Sequence, residues 1–240
     1  MTGLLIGIDD TDNPTSRGTG HLARTLLAEC VRRGMKPVGV TRHQFLIDPA
    51  IPYTSHNSGA CVAIAGGRGV EEAAFAFDFV AAQAAEGSDP GVCIASSDQV
   101  DRPVIEFGRR AARQIVEMDE AFRLAKAAGI TLKAMGGSGL GVIGALGSVG
   151  LRAEGNDGRF IDLPGLRELP DRVEARTFAL LGIRLEHYNG PRTPQAGDAY
   201  LTLGWARPRL VAGEPVLVVQ WSKQHNAWIP ADRKKSRPLE

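Results

Sequence analysis

An apolar run, Leu4-Leu5-Ile6-Gly7-Ile8, stops abruptly at three carboxylates within four residues, Asp9, Asp10 and Asp12. The run is short and rich in β-formers, so it reads as a buried strand. The acids then sit just past its carboxyl end, where open α/β sheets place their ligands. Three like charges this close repel one another, and gathering them costs free energy unless a cation sits among them. Mg²⁺ suits such a set: it is a hard ion with oxygen ligands, commonly shared with a nucleotide's phosphates. The competing reading is a solvated turn in which Asp9 or Asp12 caps the next helix. One Asp suits that reading; three directly after a buried strand favour a metal held by Asp9, Asp10 and Asp12.

Composition narrows the class. The 240 residues are 43% hydrophobic and 23% charged, as in an ordinary globular protein. Lys and Arg total 28 against 27 acids, so no general electrostatic footprint for nucleic acid is present. Cys30, Cys61 and Cys93 are widely spaced, with no CxxC pair and hence no zinc ribbon or disulfide framework. The N-terminal apolar run is too short for a signal peptide or a membrane span, which makes the cytoplasm the expected compartment.

Along the chain, the loop Asn13 to Gly20 runs into a helix expected over His21 to Arg33, with Gly34 as its stop. Backbone N–H groups at that helix start favour an anion such as phosphate. Thr19 is placed either to meet that phosphate or to cap the helix, and the roles are compatible. No Walker A sequence occurs. Val38 to Ile47 reads as a strand leading into a rigid, polar loop with two prolines, Asp48 to Gly59. Within it Tyr53, His56 and Asn57 offer an aromatic face and hydrogen-bonding groups for a nucleobase or other planar acceptor. Ala60 to Ala65 reads as a strand ending at Gly66-Gly67, and Val70 to Ala85 as a helix. A short strand is expected over Val92 to Ala95, and one helix over Val104 to Ala128. The run Met135 to Gly150 is a glycine-rich turn entering a small-residue helix. Gly136, Gly137, Gly139 and Gly141 serve equally as a phosphate cradle or as the close packing of a helix on a sheet. Beyond Leu151 strands are expected at Arg159 to Leu163, Ala199 to Trp205 and Val216 to Trp221, with a frayed tail over Asp232 to Glu240.

Several motifs together resemble one family, the archaeal agmatinylcytidine synthetases, which modify the wobble cytidine of an isoleucine tRNA. Gly7-Ile8-Asp9-Asp10-Thr11-Asp12 is similar to the family's first strand and loop, and Arg17-Gly18 falls at the spacing of its Arg-Gly pair. Asp48-Pro49-Ala50-Ile51-Pro52-Tyr53 resembles its Asn-Pro-x-Ile-Pro-Tyr loop, with Asn57-Ser58-Gly59 in register. Asp89-Pro90-Gly91 is similar to its Asn-Pro-Gly, and Gly141 to Leu146 to its Gly-Leu-Ile-Gly-Ala helix start. The order is kept over about 150 residues.

The resemblance implies an ATP- and Mg²⁺-dependent enzyme. In this family ATP phosphorylates the cytosine C2 oxygen, agmatine displaces the phosphate, and the kinase domain also phosphorylates a threonine of its own, matched here by Thr19. It implies nucleotide binding at Arg17, Gly18 and the glycine turn. The expected fold is α/β (α+β): a mixed-sheet, kinase-like ATP/Mg-binding domain over 1–152, then a smaller, strand-rich ferredoxin-like region over 153–240. Departures are specific. The family's second consecutive threonine is Gly20 here, and basic residues are replaced at Thr54, His56, Gly137 and Ser138. The family's oligonucleotide-binding barrel and zinc ribbon are expected to be lacking. The expected activity is phosphoryl transfer, kinase- or ligase-like, to a small molecule or to RNA presented by a partner protein. The alternative is a non-catalytic nucleotide-binding module or a subunit of an RNA-modifying complex.

Overall fold

The computed structural model describes residues 3–54, 56–66, 69–187, 192–204 and 206–231. Strand β1 spans Gly3–Asp9 and lies between β3 (Ser58–Ala65) and β4 (Gly91–Ser96), antiparallel to both. Strands β2 (Lys36–Gln44) and β5 (Thr131–Ala134) flank them, giving the order β5-β4-β1-β3-β2. The apolar run of β1 is continuous because both faces are covered. Leu4, Ile6 and Ile8 pack with helices α1 (Thr19–Arg32) and α2 (Phe75–Gln83). Leu5 faces the opposite layer of α3 (Arg102–Ala111), α4 (Met118–Ala127) and α5 (Gly141–Glu154). This is the period-two alternation of a strand with a core on each side.

Gly7 lets α5 lie directly on β1, since a Cβ there would overlap the carbonyl oxygen of Ala145. Gly141 and Gly144 approach the ends of β1 and β4 in the same way, while Gly147 meets Phe45 and Gly150 meets the Val104 carbonyl. Close packing of a helix on the sheet, one of the two roles open to Gly141, is seen in α5.

The sheet continues through β6 (Arg159–Asp162), antiparallel to β2, into β10 (Arg209–Val211), β11 (Glu214–Ser222), β12 (Ala227–Pro230), β9 (Ala199–Leu201) and β7 (Arg172–Glu174). Strand β8 (Arg184–His187) pairs with β11 in parallel. One five-residue helix, α6 (Arg176–Leu180), packs against this half, whose own core holds Phe160, Phe178, Tyr200 and Trp228. The architecture is therefore mixed α/β on a large mixed sheet. Position 152 falls in the last turn of α5. At the seam, fully buried His43 binds Thr41 through Nε2 (2.8 Å) and Asp157 through Nδ1 (3.0 Å).

Several expectations need correction. The helix expected over Val104 to Ala128 is two, because the chain leaves α3 at Ala112 and re-enters at Met118. No Gly or Pro marks the break; the pair Arg110–Glu120 (2.6 Å) clasps the two helices across it. The helix over Val70 to Ala85 opens as a 3₁₀ turn, Val70–Ala73. The strand from Ala199 ends at Leu201, and Trp205, Gly67 and the tail over Asp232 to Glu240 lie outside the described residues. The carboxyl-end rule for open parallel sheets does not apply, since β1 is antiparallel to both neighbours. Among the described residues no helix is long and apolar enough to cross a membrane.

Candidate active site

Antiparallel pairing brings four chain segments to the end of β1. Asp9 pairs with Gly91 at the start of β4, and Ile8 with Ala60 near the start of β3. The N-terminus of α5 abuts the ends of β1 and β4 through Gly141, whose Cβ position is filled by the backbone of Asp89 and Gly91. Asp10 takes a left-handed conformation (φ 49°), one that Asp tolerates better than most residues. The chain turns there, and the Asp10 carbonyl accepts from the Asp89 N–H (3.1 Å) while that of Thr11 accepts from Ala85 (3.0 Å).

The Thr19 hydroxyl is the hub of the turn. It donates to Asp12 Oδ1 (3.1 Å) and accepts from the Thr11 N–H (3.3 Å) and the Thr11 hydroxyl (3.1 Å). One donor and two acceptor positions are thereby filled. The other oxygen of Asp12 accepts from the Thr54 hydroxyl (3.0 Å). Thr19 does not cap α1. Gly18 does, at φ 87°, and Thr19 is the first helical residue and buried.

The three acids repel as their spacing implies. Burial first, then Asp10 and Asp12, push the Asp9 carboxyl up to about 7, against a backbone hydrogen bond from Asp10 and the charge of Arg42. Asp10 is also raised, by burial and then by Asp89 and Asp12. All three line one cavity of about 450 Å³. Among the described residues, however, no three His, Cys, Asp or Glu side chains converge as a ready-made metal site. Asp9 packs on Gly144, and Asp12 is shared between two threonines. The donors are hard oxygens, and Mg²⁺ commonly uses one or two carboxylates with phosphates and water completing its shell. The set fits that partial role and not a closed three-carboxylate cage.

Tyr53, His56 and Asn57 line the same cavity, with Phe45, Ile115, Met118 and the acids Glu117 and Asp119. Tyr53 is exposed at its mouth. The Asn57 amide donates to the Leu46 carbonyl (2.6 Å), so its side chain holds the loop. From the glycine stretch only Gly141 and Gly144 reach this wall; Gly136, Gly137 and Gly139 do not. They form a turn seated on Asp89, whose carboxylate accepts from the Gly139 N–H (2.6 Å) and from the Ser138 hydroxyl. Asp10 and Gly139 are therefore bridged by Asp89, which bonds to both. Arg17, Gly18 and Thr19 line a second cavity of about 240 Å³, which shares Asp12, His56 and Ser58 with the first.

Sequence reasoning passed over Asp89, Thr54 and Gly144. Asp89 stood in a turn motif and Gly144 in a helix start, so both had a structural explanation. The break that brings Glu117 and Asp119 to the cavity had no local signal.

No protein-family model matches the chain. It is 31% identical over 153 residues to TiaS of Pyrococcus horikoshii, the 2-agmatinylcytidine synthetase of an isoleucine tRNA, covering 61% of this chain and 35% of the relative. The protein of the same name from Methanocorpusculum labreanum is 30% identical over 151 residues, with 61% and 34% covered. Among solved structures, a complex of TiaS with isoleucine tRNA and ATP superposes with a TM-score of 0.54 at 27% identity, covering 62% of this chain and 36% of that one. A tRNA fluorescent labeling enzyme gives 0.54 at 26% identity, with the same coverage. The chain thus carries a region similar to part of these synthetases, and it spans about a third of the length of the curated relatives it matches.

Proposed function

We propose that the cleft at the end of β1 carries out ATP-dependent phosphoryl transfer, in the manner of the matching part of an agmatinylcytidine synthetase. The observation that carries this reading is the Thr19–Asp12 hydrogen bond within a row of acids, a hydroxyl nucleophile paired with a carboxylate base. Relatives whose structures hold tRNA and ATP support the choice of nucleotide.

Asp12 takes the hydroxyl proton as Thr19 Oγ1 bonds to the γ-phosphorus. The bond from that phosphorus to the β,γ-bridging oxygen breaks, and ADP leaves. Because both acceptor positions of Thr19 are filled by Thr11, the Thr11 hydroxyl rotates away to expose the attacking lone pair. Asp10 and Asp12, with Asp9 when ionised, would hold Mg²⁺. Bound there it would neutralise phosphate charge, which with positioning is most of what this chemistry needs.

In this reading Arg17, Gly18 and the glycine turn serve the nucleotide, and Tyr53 and His56 face a planar acceptor. Residues 1–152 act as the catalytic unit, and a partner protein supplies further RNA grip where the acceptor is RNA. The test is incubation with labelled ATP, with and without Mg²⁺, following ADP, AMP and protein-bound label. Mg²⁺-dependent ADP or label supports the proposal. A chain that produces neither nucleotide product nor label rejects it.

A further inference from the structure

The chain is nearly neutral, at a formal +1, yet its arginines are not evenly spread. Strand pairing puts Arg42 of β2 opposite Arg159 of β6, and Arg159 opposite Arg209 of β10. Three arginines therefore stand side by side on adjacent strands, a row about 10 Å across at ordinary strand spacing. Like charges directly opposite in a sheet are unfavourable, so hydrophobic patterning alone gives no reason for the row.

The row lines a cavity of about 620 Å³, joined by Arg207. That cavity shares Arg42, His56, Ile161 and Arg207 with the 240 Å³ cavity beside Thr19, where Arg24 enters from α1. Burial, then repulsion from Arg42, Arg167, Arg24 and Arg159, lowers the affinity of Arg207 for its proton. Acids near this seam contact other groups as well. Asp157 binds His43, Asp12 binds Thr19 and Thr54, and Asp162 lies beside Arg24 and Arg167.

We propose that this arginine-lined seam, running from Thr19 across β2, β6 and β10, is a binding site for a chain of phosphate groups. Guanidinium forks match phosphate oxygens two at a time, and the cluster uses Arg without Lys, as such recognition favours. A row of three across adjacent strands fits linked phosphates better than a single ion. At its Thr19 end the seam shares a cavity with Arg17 and Gly18, so the inference deepens the phosphoryl-transfer reading there; it fails separately, because binding is measured without turnover.

The chain of phosphates comes from a nucleotide tail or from a polynucleotide backbone, and one experiment separates them. Binding of tripolyphosphate and of a labelled single-stranded oligouridylate is measured on the full chain at low salt, with and without saturating ATP. Arg24→Gln and Arg207→Gln are compared with the parent, and Arg207→Lys and thermal melting control for folding. At least one probe is expected to bind, with affinity falling about tenfold or more in each Gln variant and less in the Lys variant. Oligouridylate affinity should fall with salt, with a slope that flattens by about one in each Gln variant. Tripolyphosphate displaced by ATP identifies a nucleotide tail, and oligouridylate bound alongside ATP identifies a backbone. Absence of binding by both probes, or affinities equal in the parent and both folded Gln variants, overturns the proposal.

Discussion

The carboxylate of Asp9 occupies the space that a side chain on Gly144 would fill; a Cβ built there overlaps its Oδ2. The last residue of β1 and the first turn of α5 are thus fitted to each other, and the acid is buried by the helix that packs on its own strand. Gly144→Ala is expected to cost about 1–3 kcal/mol through overpacking. It should also displace Asp9. Chemical denaturation and nucleotide affinity, measured on the same variant, check both effects together.

The same burial makes stability depend on pH. Asp9 titrates at about 7 in the folded protein against an ordinary 3.8. Between these values the native state keeps a proton that the unfolded chain has lost, so this group's contribution to stability falls as pH rises towards 7 and is gone above it. Asp9→Asn should flatten that slope and raise stability at pH 8 by up to about 4 kcal/mol, roughly three pKa units of differential interaction. Melting curves at pH 5 and pH 8 make the comparison; an unchanged difference between them in the variant would show that Asp9 is not the titrating group.

Asp89 holds the glycine turn through Gly139 and Ser138 and repels Asp10. Asp89→Ala is expected to release the turn, costing about 1–3 kcal/mol for the donors left without a partner. Asp89→Asn keeps acceptor capacity on one atom while removing the charge. It should restore part of that stability and move the titration of Asp10 downward, which carboxyl chemical shifts followed by NMR will read.

Much of this was legible in the residues. The run Leu4 to Ile8 implied a buried strand, and the acids after it implied mutual repulsion, because both effects are local. Gly34 and Gly129 marked helix ends, and both take left-handed conformations as such ends require. What was hidden depends on contacts far apart in the chain. Arg110 meets Glu120 across the break between α3 and α4, and no Gly or Pro marks that break in the sequence. The arginine row exists only because β6 returns to β2 and β10 to β6, so a count of charges over the whole chain could not reveal it. Asp48 to Gly59 read as a rigid functional loop, yet the amide of Asn57 is occupied in holding that loop.

Thr19 and Asp12 also set a prediction about rates. Thr19→Val removes the hydroxyl and should abolish label on the protein, while Thr19→Ser should retain it. Thr11→Val, which removes one donor to the Thr19 oxygen, should leave the nucleophile no less reactive. A loss of label in Thr11→Val with folding intact would contradict the proposed freeing of the Thr19 lone pair.

The central claim is that Thr19 is a phosphate acceptor activated by Asp12, and mapping the modified residue tests it most directly. The full chain is incubated with ATP and Mg²⁺, digested, and its peptides sequenced by mass spectrometry, with Asp12→Asn treated in parallel. A phosphate on Thr19 in the parent chain, and its absence in Asp12→Asn, is the predicted result. Phosphate located only at other residues, or on Thr19 to the same extent in Asp12→Asn, would contradict it.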